Sequence, residues 1–169
     1  MELQTAWSRM NVNKERVMVQ LSSSLETELN QFAEMEQLAD NASYIIPNTP
    51  EKHLVEYSKE DTHYLTIKNA NEIAGFIILV VDENSNSAEF RRIVVSQKGL
   101  GIGQKAMKLM EQFVATRLKA SRVWLDVFEE NARGKHIYEK MGYKTFKTDE
   151  SNGRTLIFMD KDMSVTNKG

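Results

Sequence analysis

The stretch Ser96-Gln97-Lys98-Gly99-Leu100-Gly101-Ile102-Gly103-Gln104 divides two kinds of sequence. Before it, Ala88–Val95 reads as a strand. After it, Ile102, Ala106, Leu109, Met110, Phe113, Val114 and Leu118 recur at helical spacing. The three alternate glycines let successive amides turn toward one point, because no Cβ blocks the left-handed conformations this requires. Those amides open a helix, where unpaired N–H groups and the macrodipole both favour an anion. Lys98 and Lys105 add positive charge on either side. The spacing therefore predicts a phosphate-binding nest. The plainer alternative is a glycine-rich turn that binds nothing.

Outward from this loop the chain alternates between strand and helix patterns. Upstream, Val17–Leu21 is a strand candidate, and Ser23 with Glu26 has capping-box spacing before a helical face of Leu25, Leu29, Phe32, Met35 or Glu36, and Ala39. Thr49 as N-cap and Pro50 at the first helical position open a second helix, with Leu54 and Tyr57 as its expected core contacts. His63–Lys68 and Ile73–Val81 are strands around a turn at Asn69–Asn71, the second apolar enough to be covered on both faces. Asp82–Ser87 is a polar turn. Downstream, Arg122–Phe128 is a strand and Asn131–Met141 a helix closed by Gly142. Tyr143–Lys147 and Thr155–Met159 form a last hairpin around Ser151–Gly153. The predicted class is α/β, or mixed α+β: a mostly antiparallel sheet of about six to seven strands with helices on both faces.

Composition narrows the function. The chain has 169 residues, 41% hydrophobic and 27% charged, with formal net charge -2. That suits one domain (16–163), with an arm at 1–15 and a tail at 164–169. The near-neutral charge provides no bulk field for nucleic acid or anionic lipid. With no cysteine there is no thiolate nucleophile or Cys-based metal site, and His53, His63 and His136 lack metal-ligand spacing, so no metal is expected. The longest apolar run, Ile77–Val81, is too short to span a bilayer. A cytoplasmic domain with no membrane partner follows, with homodimerisation compatible.

Which phosphate the loop holds is decided by context. No Gly-Lys-Ser/Thr completes a Walker motif. Gly101-Ile102-Gly103-Gln104-Lys105-Ala106 fits the dinucleotide fingerprint G-x-G-x-x-A, with Asp126 near the expected distance. However, Val95 ends its strand several residues too early, and 43 residues after Asp126 cannot finish two mononucleotide-binding halves. A nucleotide-dependent oxidoreductase is the least favoured reading.

Two blocks together resemble the GNAT superfamily of N-acyltransferases. Its pyrophosphate signature, Gln/Arg-x-x-Gly-x-Gly/Ala, reads here Lys98-Gly99-Leu100-Gly101-Ile102-Gly103. Its downstream block, Asn-x-x-Ala/Gly-x-x-x-Tyr-x-x-x-Gly-Phe/Tyr, reads Asn131 through Gly134 and Tyr138 to Gly142-Tyr143. Lys98 departs from the usual Gln or Arg, and the short loop before it lacks the common proline.

The resemblance implies acetyl-CoA as cofactor, direct transfer of the acetyl group to an amine of a small molecule or peptide, and CoA as product. It assigns the pyrophosphate to Lys98, Gly99, Leu100, Gly101, Ile102, Gly103 and Gln104, and the pantetheine arm to Val94, Val95 and Asn131. It makes Tyr138 the general acid, and Glu89, which alternates with Arg91 and Ile93 on one expected face of its strand, is the candidate base, with Asp126 and His136 in reserve. Each has a structural alternative: core packing for Tyr138, an ion pair with Arg91 or Arg92 for Glu89, and an N-cap for Asn131. Arg133, Lys135 and Lys140 are candidates for the cofactor's 3′-phosphate. Tyr44, His53, Tyr57 and Arg154 are expected acceptor-site walls, and Arg91 and Arg92 could meet an anionic acceptor. A non-catalytic acyl-CoA sensor is the alternative function.

Overall fold

A computed structural model of the chain describes residues 17–38 and 45–164. The expected arm at 1–15, most of the expected tail, Ala39 and Tyr44 lie outside the described residues. The element order is β1 (Val19–Ser23), α1 (Leu29–Leu38), α2 (Pro50–Tyr57), β2 (Thr62–Asn69), β3 (Glu72–Asp82) and β4 (Ser87–Val95). It continues with α3 (Ile102–Phe113), β5 (Arg122–Phe128), α4 (Ala132–Lys140), β6 (Lys144–Ser151) and β7 (Arg154–Asp162). The strands form one seven-stranded sheet in the order β1-β2-β3-β4-β5-β7-β6. Every neighbouring pair is antiparallel except β4–β5.

Period-2 alternation sends each strand's side chains to two different cores. Ile77, Leu79, Phe90, Val123, Leu125 and Met159 meet Ile102, Ala106, Met107 and Met110 of α3. Phe76, Ile78 and Val94 meet Leu29 and Phe32 of α1 on the opposite face. Phe32 stacks on Phe76 with ring centroids 4.4 Å apart. β3 is therefore apolar on both sides, as its uninterrupted run predicts.

Local differences from the sequence reading have physical causes. Ser24 still extends the sheet, its amide donating to the Tyr64 carbonyl at 3.0 Å and its hydroxyl bonded to Thr66. The first cap therefore moves two residues on, to Leu25, whose amide donates to Glu28 Oε1 at 2.8 Å. In α2, Thr49 accepts the Lys52 amide and Pro50 sits at the start, as read. Its buried residue, however, is His53, and Leu54 is exposed. A polar partner network, described below, rotates the helix so that the imidazole faces in. The long helix leaves α geometry at Val114 and ends in a π-turn, Val114–Leu118, closed by Lys119 in a left-handed conformation. β6 begins one residue later than read, at Lys144, but runs on to Ser151, and β7 extends the expected Thr155–Met159 at both ends.

Two irregularities shape the middle of the sheet. β4 and β5 pair only over Ser87–Glu89 and Arg122–Trp124 and then part, leaving a slot between them. In β4, Phe90 pairs with Leu79 and Arg92 with Ile78, so Arg91 is an extra, bulged residue. The bulge overturns the expected grouping of Glu89, Arg91 and Ile93 on one face. Glu89 shares a face with Val80 and Ile78, whereas Phe90 and Ile93 face α3.

Candidate active site

On the α3–α4 face, a cavity of about 370 Å³ opens beside the slot. It is lined by the loop residues Gln97, Lys98, Gly99 and Gly101, by Ile102, Gly103, Gln104 and Met107 of α3, and by Ile93 and Val95 of β4. Arg133, Gly134, Ile137 and Tyr138 of α4 form the opposite wall. Gly99 and Gly101 have φ of 82° and 72°, and a Cβ on either would meet nothing within 4 Å. What these positions require of glycine is thus conformation, not space. Gly101 is the N-cap, and its carbonyl takes the Lys105 amide at 3.2 Å. The amides of Ile102, Gly103 and Gln104 have no place in the intrahelical ladder and face the first turn's positive end. The loop therefore fits an anion such as a pyrophosphate through backbone donors, with Lys98 and Arg133 contributing charge at its rim.

The predicted loop residues are not equivalent. Leu100 is exposed and lies outside the cavity lining. Val94 points its side chain into the α1 core, whereas Val95 lines the cavity. Behind them β3 approaches very closely: a Cβ on Gly75 would lie 2.0 Å from the Val94 carbonyl oxygen. Asn131 caps α4, its Oδ1 accepting the Gly134 amide at 3.0 Å, and it is not among the lining residues.

Tyr138 stands at the back of the cavity, its ring edge-on to Phe90 and Tyr143. Burial, and then the charge of Asp126, push its hydroxyl up to about 12. It therefore carries its proton throughout the neutral range. The helix end holds it in place: the Tyr143 amide donates to the Tyr138 carbonyl and the Gly142 amide to Glu139, with Gly142 at φ 99°. This is the paired closure that a left-handed glycine permits. Tyr143 in turn donates its hydroxyl to Glu111 at 3.0 Å, and Glu111 also pairs with Lys161. The Asn131-to-Tyr143 spacing in the sequence thus corresponds to a cap, a cavity-facing hydroxyl and a helix stop.

The slot leads to the α1–α2 face. Glu89 and Trp124 are register partners there, and Asp126 lies two residues further along β5 on the same side. Enclosure, and then the Glu89 charge, raise the Asp126 carboxyl above its ordinary value, while Arg91 opposes the shift. Arg91 donates from Nε to Glu89 Oε2 at 2.9 Å and approaches Glu56 at 3.6 Å. Arg92 pairs with Glu36. Both arginines are thus matched internally. The expected walls also differ from the reading. His53 is buried against Glu36 and Tyr64, and Tyr57 donates its hydroxyl to the Ser24 carbonyl. Arg154 lies over the Phe128 ring and pairs with Glu130. His136 is exposed, and neither it nor Lys135 nor Lys140 lines the cavity. Glu36, Glu56 and Trp124, which stand around Arg91, Arg92 and Glu89 here, were not singled out from the sequence, because nothing in their local pattern marks them. Among the described residues no group of His, Asp or Glu could hold a metal ion, and no helix is long and apolar enough to cross a membrane.

Known proteins resemble the chain in part of its sequence and in its fold. The spermine/spermidine N(1)-acetyltransferase of Bacillus subtilis (strain 168) is 28% identical over 60 residues, 36% of this chain and 40% of that protein. The chain thus matches about two fifths of the length of its curated relatives. The crystal structure of spermidine N-acetyltransferase from Vibrio cholerae in complex with CoA and spermine superposes with a TM-score of 0.75 at 17% identity, covering 86% of this chain and 96% of that one. A dodecameric structure of the Vibrio cholerae enzyme superposes at 0.72, with 18% identity over 89% and 96% of the two chains. These structures share the seven-stranded fold. The acetyltransferase (GNAT) family profile matches residues 27–143, covering the loop, the slot and Tyr138, and the chain belongs to that family.

Proposed function

We propose that the chain is an N-acetyltransferase that moves the acetyl group of acetyl-CoA directly to a primary amine. The observation that carries this reading is the cavity itself. A helix-N-terminal glycine loop and a protonated tyrosine line it together, beside the place where β4 and β5 part.

Bound acetyl-CoA supplies the thioester carbon. Backbone amides of Gly101–Gln104 hold its pyrophosphate, and the β4 edge at Val94 and Val95 receives the pantetheine arm. Tyr138 keeps a proton for the departing sulfur. An ordinary alkylamine with a pKa near 10.4 must lose a proton before it attacks. Glu89, with Asp126 in reserve, takes that proton at the other mouth of the slot. The C–N bond forms as the C–S bond breaks, the nitrogen then gives up its second proton, which restores Tyr138 through water, and no enzyme-bound acyl group is needed.

The acceptor we assign is a small polycationic amine. Glu89, Asp126 and Glu56 stand near the acceptor mouth, and the relatives named above act on spermine and spermidine. Self-association belongs to the same reading. On the α1–α2 side, Trp124, Phe158 and Phe146 form an aromatic strip on β5, β7 and β6, and Phe146 is 45% exposed. We assign this strip to a second copy, to be tested by light scattering of the chain and of Phe146→Glu. A cytoplasmic location completes the proposal, and cell fractionation tests it.

The decisive experiment is Tyr138→Phe. Turnover with spermidine should fall about 100-fold, a typical contribution of a general acid, with acetyl-CoA affinity unchanged. Unchanged turnover removes Tyr138 from the mechanism. A thermal-shift comparison of acetyl-CoA with NADH checks the cofactor, since a ligand of the native state raises apparent stability. Stabilisation by acetyl-CoA without thiol release from any amine would favour the sensor.

A further inference from the structure

Glu36 is fully buried near the end of α1, yet neither its helix pattern nor the transfer chemistry calls for a charge there. A buried carboxylate persists only when both oxygens are matched. Here both are. Oε1 accepts from His53 Nε2 and, at 3.4 Å, from the Asn48 amide, and Oε2 accepts from Arg92 Nη1. With Nε2 donating, His53 Nδ1 is left to accept, and the Tyr64 hydroxyl meets it at 2.7 Å. Burial, and then the Glu36 and Glu56 charges, raise the Tyr64 hydroxyl well above the usual tyrosine range, which keeps it a donor.

Two arms lead from this carboxylate to the acceptor mouth. Arg92 is the residue directly after the bulged Arg91, so its clamp to Glu36 fixes the far side of the bulge. His53 lies one helical turn before Glu56 on α2, so holding the imidazole sets where Glu56 stands. Arg91 bridges what the two arms deliver: its Nη2 lies 2.7 Å from Glu89 Oε2 and its Nη1 lies 3.6 Å from Glu56 Oε2. That Glu56 oxygen is buried without a hydrogen-bond partner, and Lys59 takes the other one at 2.9 Å. Asp126 stands on the neighbouring β5, on the same face of the sheet. The charge offered to an incoming amine therefore depends on where one guanidinium sits.

We propose that Glu36 is a positioning residue that, through Arg92 and His53, seats Arg91 between Glu89 and Glu56 and so sets acceptor recognition. The proposal rests on reading the α1–α2 face as the acceptor side. In Glu36→Gln the Arg92 guanidinium loses its charged partner, the far side of the bulge is no longer clamped, and Arg91 leaves its seat between Glu89 and Glu56, so the two carboxylates no longer stand where a cationic amine meets them.

The test uses the full chain and Glu36→Gln, with spermidine as the amine. The expected result is a five- to tenfold rise in the spermidine KM, with the acetyl-CoA dissociation constant within twofold. In the double variant with Arg91→Met, the KM should equal that of Arg91→Met alone, because the two residues act in series. A second readout needs no acceptor: hydrogen exchange of the Arg91 Nε–H, followed by nitrogen-15 NMR, should quicken at least tenfold. Wild-type exchange and KM in folded Glu36→Gln would overturn the proposal, as would a matching loss of acetyl-CoA affinity, which marks general loosening. If Glu36→Gln does not fold, His53→Gln carries the same readouts through the α2 arm. If spermidine is not acetylated at all, the polyamine reading fails, and Arg91 exchange still decides this proposal.

Discussion

The two faces of the sheet meet at the slot but are built differently. On the α3–α4 face, the cavity is made of backbone: amides at a helix start, two glycines in left-handed conformations and a strand edge. On the α1–α2 face, the surroundings are made of charged side chains holding one another: Glu36 with Arg92 and His53, and Arg91 with Glu89 and Glu56. Backbone donors keep their direction whatever side chains surround them, which suits a ligand whose phosphates never vary. A side-chain network can be retuned one residue at a time, which suits the amine side of the proposed reaction. On that proposal the sheet separates a constant task from an adjustable one.

Three substitutions probe this division, in order of expected effect. Gly75→Ala attacks the seam between the faces. Its Cβ would meet the Val94 carbonyl oxygen at 2.0 Å, and both partners are backbone, so β3 and β4 must move apart. We expect a loss of about 3 kcal/mol, as for severe overpacking. In a chain of this size that lowers Tm by roughly 6–12 °C in calorimetry. A Tm within 2 °C of wild type would show that the seam is not rigid.

Asn131→Ala tests whether the cavity face relies on this side chain for more than its cap. Loss of the bond to the Gly134 amide should cost about 1 kcal/mol, or roughly 2–4 °C in Tm. If Asn131 also holds the pantetheine arm, the acetyl-CoA KM rises as well. A KM that stays constant while Tm falls assigns it to capping alone.

Asp126→Asn is the mildest, and it addresses the acceptor face. A carboxyl raised above its ordinary value of 3.8 favours its protonated form in the native state. Its contribution to stability is therefore complete below that value and lost as pH rises through the folded value. The amide escapes that loss. Asp126→Asn should gain about 1 °C in Tm at pH 7, a small effect because the carboxyl is only partly enclosed and still meets water, and nothing at pH 3. A gain at both pH values would assign the change to packing.

The cavity face could be read from the chain because its parts are neighbours in sequence. Gly99, Gly101 and Gly103 announce the loop, and the Asn131, Tyr138 and Gly142 spacing announces a capped helix with a glycine stop. The element order followed from periodicity together with caps and turn residues such as Thr49, Pro50 and Gly142, and the doubly covered β3 from its unbroken apolar run. The α1–α2 face was not legible, since its contacts span long separations: Glu36 and Arg92 are 56 residues apart and His53 and Tyr64 are 11 apart, on different elements. Glu36 read as one of two alternatives at a helical position, and nothing local distinguishes a buried carboxylate from a solvated one. The face assigned to Glu89 was wrong for a related reason. Alternation assumes an unbroken strand, and no residue near Arg91 signals the extra position.

That extra position has a consequence for how this chain can change over time. Because Arg91 has no partner on β3, the segments 87–90 and 92–95 of β4 are out of phase. Deleting it would leave an unbroken strand in which Phe90 still pairs with Leu79 and the next residue with Ile78, so every other side chain of β4 keeps its face. What would be lost is the local bend and the guanidinium between Glu89 and Glu56. A family member lacking this residue could therefore keep both cores and differ only in the charges beside the slot. Single-residue gaps at this point in an alignment should mark groups that share their cores but not those charges.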